Sequence, residues 1–290
     1  MTPLFQAEWK KVTGNRRLAF CLVWIFPAAG CAFVGLLTLT LLLSSSERAD
    51  YLLNPTSWIS VAITPWQILN NPFGRIVIMA FAATVFASEY EYRTWKTILP
   101  GNRRLIMILV KYAAFAAFIL LAFSVMMVLL IVSMGLLHLL IGADYPPALT
   151  VDVFTDFLGD LFLNAILAFV STMIVATIAA LVALRTQSIL YGVMAGVFVS
   201  LLEFVGFPAI FLLASVFLGI EDILDLVVLT PSFNTSNIES WVNSGHAVTS
   251  IFGEETLPTL SLATSILILG IWLVGLIGAS VVLFQQQDVQ

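Results

Sequence analysis

The side chains able to do chemistry in this 290-residue chain are few and widely spaced. Its histidines are His138 and His246, too few and too far apart in sequence for the usual metalloenzyme ligand sets. No HExxH run occurs, so the two-histidine zinc helix is missing. No GxxxxGKS or GxxxxGKT phosphate loop occurs either, so the chain does not hold ATP in that way. Asp152, Asp156 and Asp160 share one helical face at i, i+4 and i+8, which raises the question of a cation site. Three carboxylates spread over two turns do not converge on one ion. Their plainer reading is negative charge at a helix N-terminus, where the dipole favours it. Cys21 and Cys31 lie about 15 Å apart along ten residues of helix. They cannot pair within it and read as small apolar residues.

Two features keep their chemical interest. The first is Glu203, alone inside an apolar run. The second is the stretch from Glu89 to Leu105, Glu-Tyr-Glu-Tyr-Arg-Thr-Trp-Lys-Thr-Ile-Leu-Pro-Gly-Asn-Arg-Arg-Leu, which interrupts hydrocarbon on both sides. Glu89 and Arg93 form an i, i+4 pair in the favourable order, about 0.2–0.5 kcal/mol if exposed. Tyr92, Trp95 and Leu99 fall at i, i+3 and i+7 and give one apolar-aromatic face, flanked by the cations Arg93 and Lys96. Pro100-Gly101 ends the helix. One reading is an amphipathic helix at head-group level. The other is a docking element that passes force from a second protein into the helices on either side.

The elements that position these residues follow from composition. The chain is 60% hydrophobic and 10% charged, against about 25% charged for a soluble domain. Apolar runs long enough to cross a hydrocarbon core of about 30 Å recur. Six spans are expected, at 18–43, 72–88, 105–141, 159–184, 188–207 and 261–284. The fold class is therefore all-α, one polytopic transmembrane domain over 1–290 with no room for a soluble domain. The first run is too long for a signal-peptide core and no small-residue cleavage site follows, so it reads as an anchor that stays. An even number of spans puts both termini on one side. With them lie Lys10, Lys11, Arg16, Arg17, Arg93, Lys96, Arg103, Arg104, Lys111 and Arg185, ten of the twelve cations, and the positive-inside rule makes that side cytoplasmic. The acids gather opposite. The net charge of −5 thus hides a polarised molecule and carries no implication of nucleic-acid binding. Neither a nucleophile with its base nor a metal cluster is encoded at membrane depth, so an intramembrane enzyme lacks the residues to carry it.

Residues 2–17 read as an interfacial helix with Leu4, Phe5, Trp9 and Val12 on one arc and Lys10, Lys11, Arg16 and Arg17 for anionic membrane lipids. Glu8 falls inside the apolar arc, either as a snorkelling side chain or as a contact with a partner protein. The stretch 44–71 reads as an outer loop whose Trp58 and Trp66 suit the membrane interface. The third run would be about 55 Å as one helix. Its first two turns, with Arg103, Arg104 and Lys111 on one face and Asn102 as N-cap, are expected to protrude into the cytoplasm. His138 reads as an interfacial polar residue. Arg185-Thr186-Gln187 is a tight turn between the fourth and fifth spans, and Gly192-Val-Met-Ala-Gly196 is a GxxxG that allows close packing. Gly206-Phe-Pro208 breaks the helix. Beyond it, 208–258 reads as an outer region, with 208–219 a continuation or re-entrant helix and 220–258 the largest loop. Asn234-Thr-Ser in that loop matches a glycosylation sequon. An ionisable residue at the depth of Glu203 usually faces the bundle interior and marks a transport path. A protonated Glu, or one that snorkels to the interface, is the alternative.

The pattern Glu-Tyr-x-x-x-Thr-x-Lys-x-x-Leu-Pro from Glu89, followed by Arg103, Arg104 and then Lys111 in the next span, resembles the first intracellular loop of type-2 ABC transporter permeases. Ala7-Glu8-Trp9-Lys10-Lys11 before the first span is similar to the amphipathic start of that family. Six spans with a large outer loop before the last match its architecture, and Leu283-Phe-Gln-Gln-Gln-Asp288-Val resembles its ending. Gln286 and Gln287 depart from it, standing where Arg or Lys is usual, which weakens the inner anchor. The resemblance implies a half-transporter in the plasma (inner) membrane that pairs with a second permease subunit, identical or different, and with a nucleotide-binding ATPase. It implies that the chain is not itself an enzyme and binds no cofactor, with ATP and Mg held by the ATPase. It also implies a coupling segment over 89–104, with Tyr90 to Leu99 set in a groove of the ATPase. In that segment Glu89 and Glu91 stand at the hinge, Tyr92 and Trp95 anchor the docking, and Arg93, Lys96 and Leu99 flank them. Cargo would pass between the second and fifth spans of the two subunits, and an apolar path with one acid leans toward a hydrophobic or amphipathic cargo. A secondary transporter driven by an ion gradient and a non-transporting membrane scaffold are the rival readings. The first usually shows inverted repeats, which are not evident here.

Overall fold

The computed structural model describes residues 2–14, 23–91, 103–206, 209–210, 213, 217, 226–249 and 258–287. Among them there is no strand, and ten α-helices carry the fold. They are α1 (Thr2–Gly14), α2 (Ile25–Leu43), α3 (Ser45–Leu53), α4 (Trp58–Asn70), α5 (Pro72–Glu91), α6 (Arg104–Ile141), α7 (Val151–Thr186), α8 (Ile189–Leu201), α9 (Pro231–Ser244) and α10 (Leu262–Gln286). Five of these, α2, α5, α6, α7 and α10, are long and apolar enough to cross a membrane, and they mark the chain as a membrane-embedded, multi-pass protein. The expected fifth span, 188–207, is built differently. Its α-helix has 13 residues and continues into a π-helical stretch, Leu202–Gly206. At 36 and 38 residues, α7 and α6 exceed by far the ~20 residues that a bilayer core requires. The first of them starts at Val151, eight residues before the expected span, so Asp152, Asp156 and Asp160 stand exposed on its opening turns.

The chain divides into two compact units. One comprises Phe5–Asn71 and Ala113–Phe169; the other comprises Met1–Leu4, Pro72–Tyr112 and Val170–Gln290.

In the first unit, the stretch 44–71 expected as a loop is helical. Ser44 caps α3 by accepting the Glu47 amide at 3.3 Å, and Ser57 caps α4 by accepting the Ile59 amide at 3.2 Å. Both use a side-chain oxygen to satisfy a donor that the first turn leaves unpaired. Val61, Ala62, Trp66 and Leu69 form the buried stripe of α4. Trp66 is therefore part of the protein core and lies beside Phe123 at 6.3 Å between ring centroids. Trp58 keeps a polar tie, its indole donating to the Pro147 carbonyl at 2.9 Å. His138 is also buried. Tyr51 meets its Nε2 at 2.8 Å, and its Nδ1 meets the Asp144 carbonyl. The apolar arc of α1 is not spread over a surface: Trp9 stacks on Phe118 at 4.0 Å and Val12 is buried. Glu8, the residue that disturbed that arc, pairs with Lys11 at 2.6 Å.

In the second unit, α5, α7 and α8 meet over small side chains. A Cβ built on Gly192 would come within 2.6 Å of the Ala183 Cβ and 2.8 Å of the Ala83 Cβ. One on Gly196 would come within 2.5 Å of the Met79 Cβ. Only glycine permits this approach, which realises the close packing that GxxxG spacing allows. The region expected as the largest outer loop, 220–258, contains α9. Thr230 caps α9, Pro231 occupies its first turn, and Gly245 ends it in the left-handed conformation at φ 73°. Both ends obey the usual asymmetry of proline at the start and glycine past the end. Asn237 donates to Ser265 Oγ at 2.8 Å and Trp241 to the Leu260 carbonyl at 2.8 Å, fixing α9 to the start of α10. Asn234 is fully buried and donates to the carbonyls of Val228 (2.7 Å) and Thr230 (2.8 Å). The sequon reading is thereby overturned, because a glycan needs this same nitrogen free and at the surface.

Candidate functional site: two buried ion pairs on one helix

Two buried ion pairs sit at the two ends of α5. Near its last turn, Glu89 pairs with Lys111 of α6, and both side chains are almost wholly shielded from solvent. Lys111 also donates to the Val85 carbonyl at 3.0 Å, one turn earlier on α5. Lys111, expected on one helical face with Arg103 and Arg104, is turned into the protein here. Met107, Ile108, Val110 and Tyr112 are buried with it. A lysine buried without a counter-charge would be costly, and the carboxylate with an added carbonyl supplies what the ammonium loses in leaving water.

Around this pair the end of α10 is tied in. The Tyr90 hydroxyl donates to Gln287 Oε1, and Gln287 Nε2 donates to the Leu184 carbonyl of α7 at 2.7 Å. Arg104 donates to the carbonyls of Gln285 and Gln287, each at 2.8 Å, and of Phe284 at 3.3 Å. These are the carbonyls that a helix C-terminus leaves without partners, and a cation is favoured there. Two turns further along α6, the Tyr112 hydroxyl meets Ser280 Oγ at 2.8 Å. The end of α10 is thus held by Arg104 and by the side-chain amide of Gln287.

At the start of α5, Arg75 Nη1 lies 2.6 Å from Glu203 Oε2, and Arg75 Nη2 donates to Ser171 Oγ of α7 at 2.6 Å. Glu203 stands in the π-helical stretch after α8. Such stretches are rare and frequent at functional positions. The backbone of Ser232, in the first turn of α9, also faces this carboxylate. Among the described residues, Glu203 Oε1 and Ser200 Oγ are buried with no hydrogen-bond partner.

Of the residues singled out in the sequence, Glu89, Tyr90 and Glu203 are placed in these networks, while Glu91 is exposed on the last turn of α5. Tyr92, Arg93, Trp95, Lys96 and Leu99 lie outside the described residues, as does Asn102. Arg75, Ser171 and Gln287 were not singled out as site residues, and the pairing of Lys111 with Glu89 was not anticipated. Glu89 and Lys111 stand symmetrically about Pro100, and this opposite-charge symmetry was a readable signal for their pairing. Arg75 and Glu203 are 128 residues apart and offer no comparable pattern. Among the described residues no three His, Cys, Asp or Glu side chains gather as metal ligands. No protein-family model matches the chain, and no curated protein is significantly similar to it.

Proposed function

We propose that this chain is the membrane-spanning permease subunit of an ATP-driven ABC transporter. In this reading it exports a hydrophobic or amphipathic cargo and is powered by a separate ATPase that docks on 89–104. It has six spans, with α8 and its π-helical continuation as the fifth, both termini in the cytoplasm, and a second permease subunit beside it in the plasma membrane. Tyr92 and Trp95 are the docking anchors, since aromatic side chains dominate the energetics of protein contacts. ATP and Mg belong to the ATPase.

The observation that carries the reading is the buried Glu89–Lys111 pair at the base of the segment. A docking element transmits force only if its base is stiff. Here the two helices that flank the segment are joined by a buried ion pair, and Tyr90 and Arg104 bind the same region to the end of α10. A push on the segment would then move three helices together. The test is to purify the chain in mild detergent and ask whether a nucleotide-binding subunit accompanies it. The chain carrying Tyr92→Ala and Trp95→Ala should lose that subunit, or hydrolyse ATP without transport, while its membrane domain unfolds at the parent temperature. Normal transport by the double variant would sink the docking role.

One observation favours a second reading. The buried Arg75–Glu203 pair is the kind of intramembrane charge that ion-driven carriers use. Transport that stops when the ion gradient is collapsed, and proceeds with no ATPase present, would establish that reading instead.

A further inference from the structure

The docking reading makes no use of the Arg75–Glu203–Ser171 cluster, and the way α8 is attached explains what the cluster does. Along its length α8 is held in two different ways. At Gly192 and Gly196 it lies against Ala83, Ala179, Ala183 and Met79 so closely that a single added carbon would collide. That contact is close and its side chains are apolar. Beyond Leu201 the backbone widens to the π-helical form and the attachment becomes ionic, from Glu203 to Arg75 and from Arg75 to Ser171.

The ionic end is incompletely satisfied. Glu203 Oε1 and Ser200 Oγ are both buried and lack partners among the described residues, and at i, i+3 they stand on one face a single turn apart. Among the described residues they belong to no cluster of three His, Cys, Asp or Glu side chains that could hold a metal ion. Among the described residues these two oxygens stay short of partners, while the Ser232 backbone also hydrogen-bonds the carboxylate; a buried oxygen that lacks a partner penalises the closed arrangement relative to one that water can reach. A buried ion pair also gives little stability over an apolar pair of the same volume, and its best-attested use is to fix a register or serve as a switch.

We propose that Arg75, Glu203 and Ser171 form a releasable latch between α5, α7 and α8. Closed, it holds the three helices together at the start of α5. Open, it admits water first to Ser200 and Glu203, while the glycine contacts at Gly192 and Gly196 act as the fixed pivot. The latch rests on the transport reading only in that its opening would belong to a transport cycle; its existence is a property of this chain alone.

The test uses the full chain in membranes, with Cys21→Ser and Cys31→Ser, and Ser200→Cys as a near-isosteric reporter for a small water-soluble thiol reagent. In the parent latch Cys at this position should label slowly. Glu203→Gln removes the carboxylate that pairs with Arg75, and labelling should rise by about tenfold or more. Arg75→Met with Glu203→Leu replaces the pair by apolar groups, so labelling should return to the parent rate or below it, with thermal stability at least that of the parent. If Glu203→Gln fails to give monodisperse protein, Ser171→Ala removes one hydrogen bond of the latch and should raise labelling by a few-fold. Labelling that is equal in all variants overturns the latch, as does full transport by the apolar double variant. The labelling needs neither ATPase nor cargo. The expected pattern in a chain that never binds an ATPase keeps the latch and removes the transport reading. Unchanged labelling in a chain that transports with its ATPase does the reverse.

Discussion

Glu89 and Lys111 stand eleven positions on either side of Pro100 and meet in a buried ion pair at the base of the 92–102 segment. The pair joins the last turn of α5 to the second turn of α6, and the Val85 carbonyl gives the ammonium a further acceptor. Removing one partner leaves the other charged in a place that water does not reach. Lys111→Met and Glu89→Gln should each therefore cost about 3–5 kcal/mol. The combined variant Glu89→Leu with Lys111→Met should recover most of that loss, because two apolar side chains of similar volume fill the same space. Thermal unfolding of the detergent-solubilised chain, read as a double-mutant cycle, measures the coupling. A double variant as unstable as the sum of the two singles would show that the residues act independently.

The contact of α8 with its neighbours leads to a prediction with an internal control. Gly196→Leu drives a branched side chain into the Met79 Cβ, which already lies 2.5 Å from where a Cβ would stand. Overpacking of this kind costs about 1–3 kcal/mol or more. Gly278→Ala, on α10, meets nothing within 4 Å, and in a helix the change should be neutral or stabilising by about 0.5–1 kcal/mol. Equal effects at the two positions would mean that the close approach at Gly196 is not real.

Asn234 gives a prediction about modification. Its side chain is enclosed and bonded to Val228 and Thr230, so the Asn-Thr-Ser sequence should remain unglycosylated when the chain is made in a glycosylating membrane extract. Asn234→Ala should destabilise by about 1–3 kcal/mol, since buried carbonyls lose their donor. A glycan found at Asn234 in folded protein would contradict the placement of α9.

These positions show what the sequence made legible and what it did not. The membrane character, the long apolar helices and the GxxxG contact followed from runs and spacings, because the bilayer demands length and glycine permits approach. The caps of α3 and α9 were also written in the sequence. Ser44-Ser-Ser-Glu47 has capping-box spacing and Thr230-Pro231 is a helix start, yet both stretches were taken for loops since neither is apolar enough to span. The burial of His138 and Trp66 was not legible for a different reason. Their burial depends on Tyr51 and on the ring of Phe123, partners that local composition does not reveal. The same applies to Glu203, whose partner stands 128 residues earlier. Depth in an apolar run identified it as unusual but could not name Arg75.

The last prediction concerns Arg104 and the end of α10. The guanidinium reaches three carbonyls of the final turn, those of Phe284, Gln285 and Gln287, where a cation is favoured by the helix dipole. Arg104→Gln removes the cation, leaving those carbonyls to solvent or to weaker donors, at a cost of about 0.3–1 kcal/mol. The loss should be local. Hydrogen exchange should quicken for the amides of the final turn of α10, while those of α8 keep their protection. Arg104→Lys should fall between, because the ammonium keeps the charge on a shorter, differently shaped side chain that does not place its nitrogen where Arg104 Nη1 stands. If Arg104→Gln exchanges as slowly as the parent, the anchor is held by Tyr90 and Gln287 alone, and Tyr90→Phe should then release the same turn.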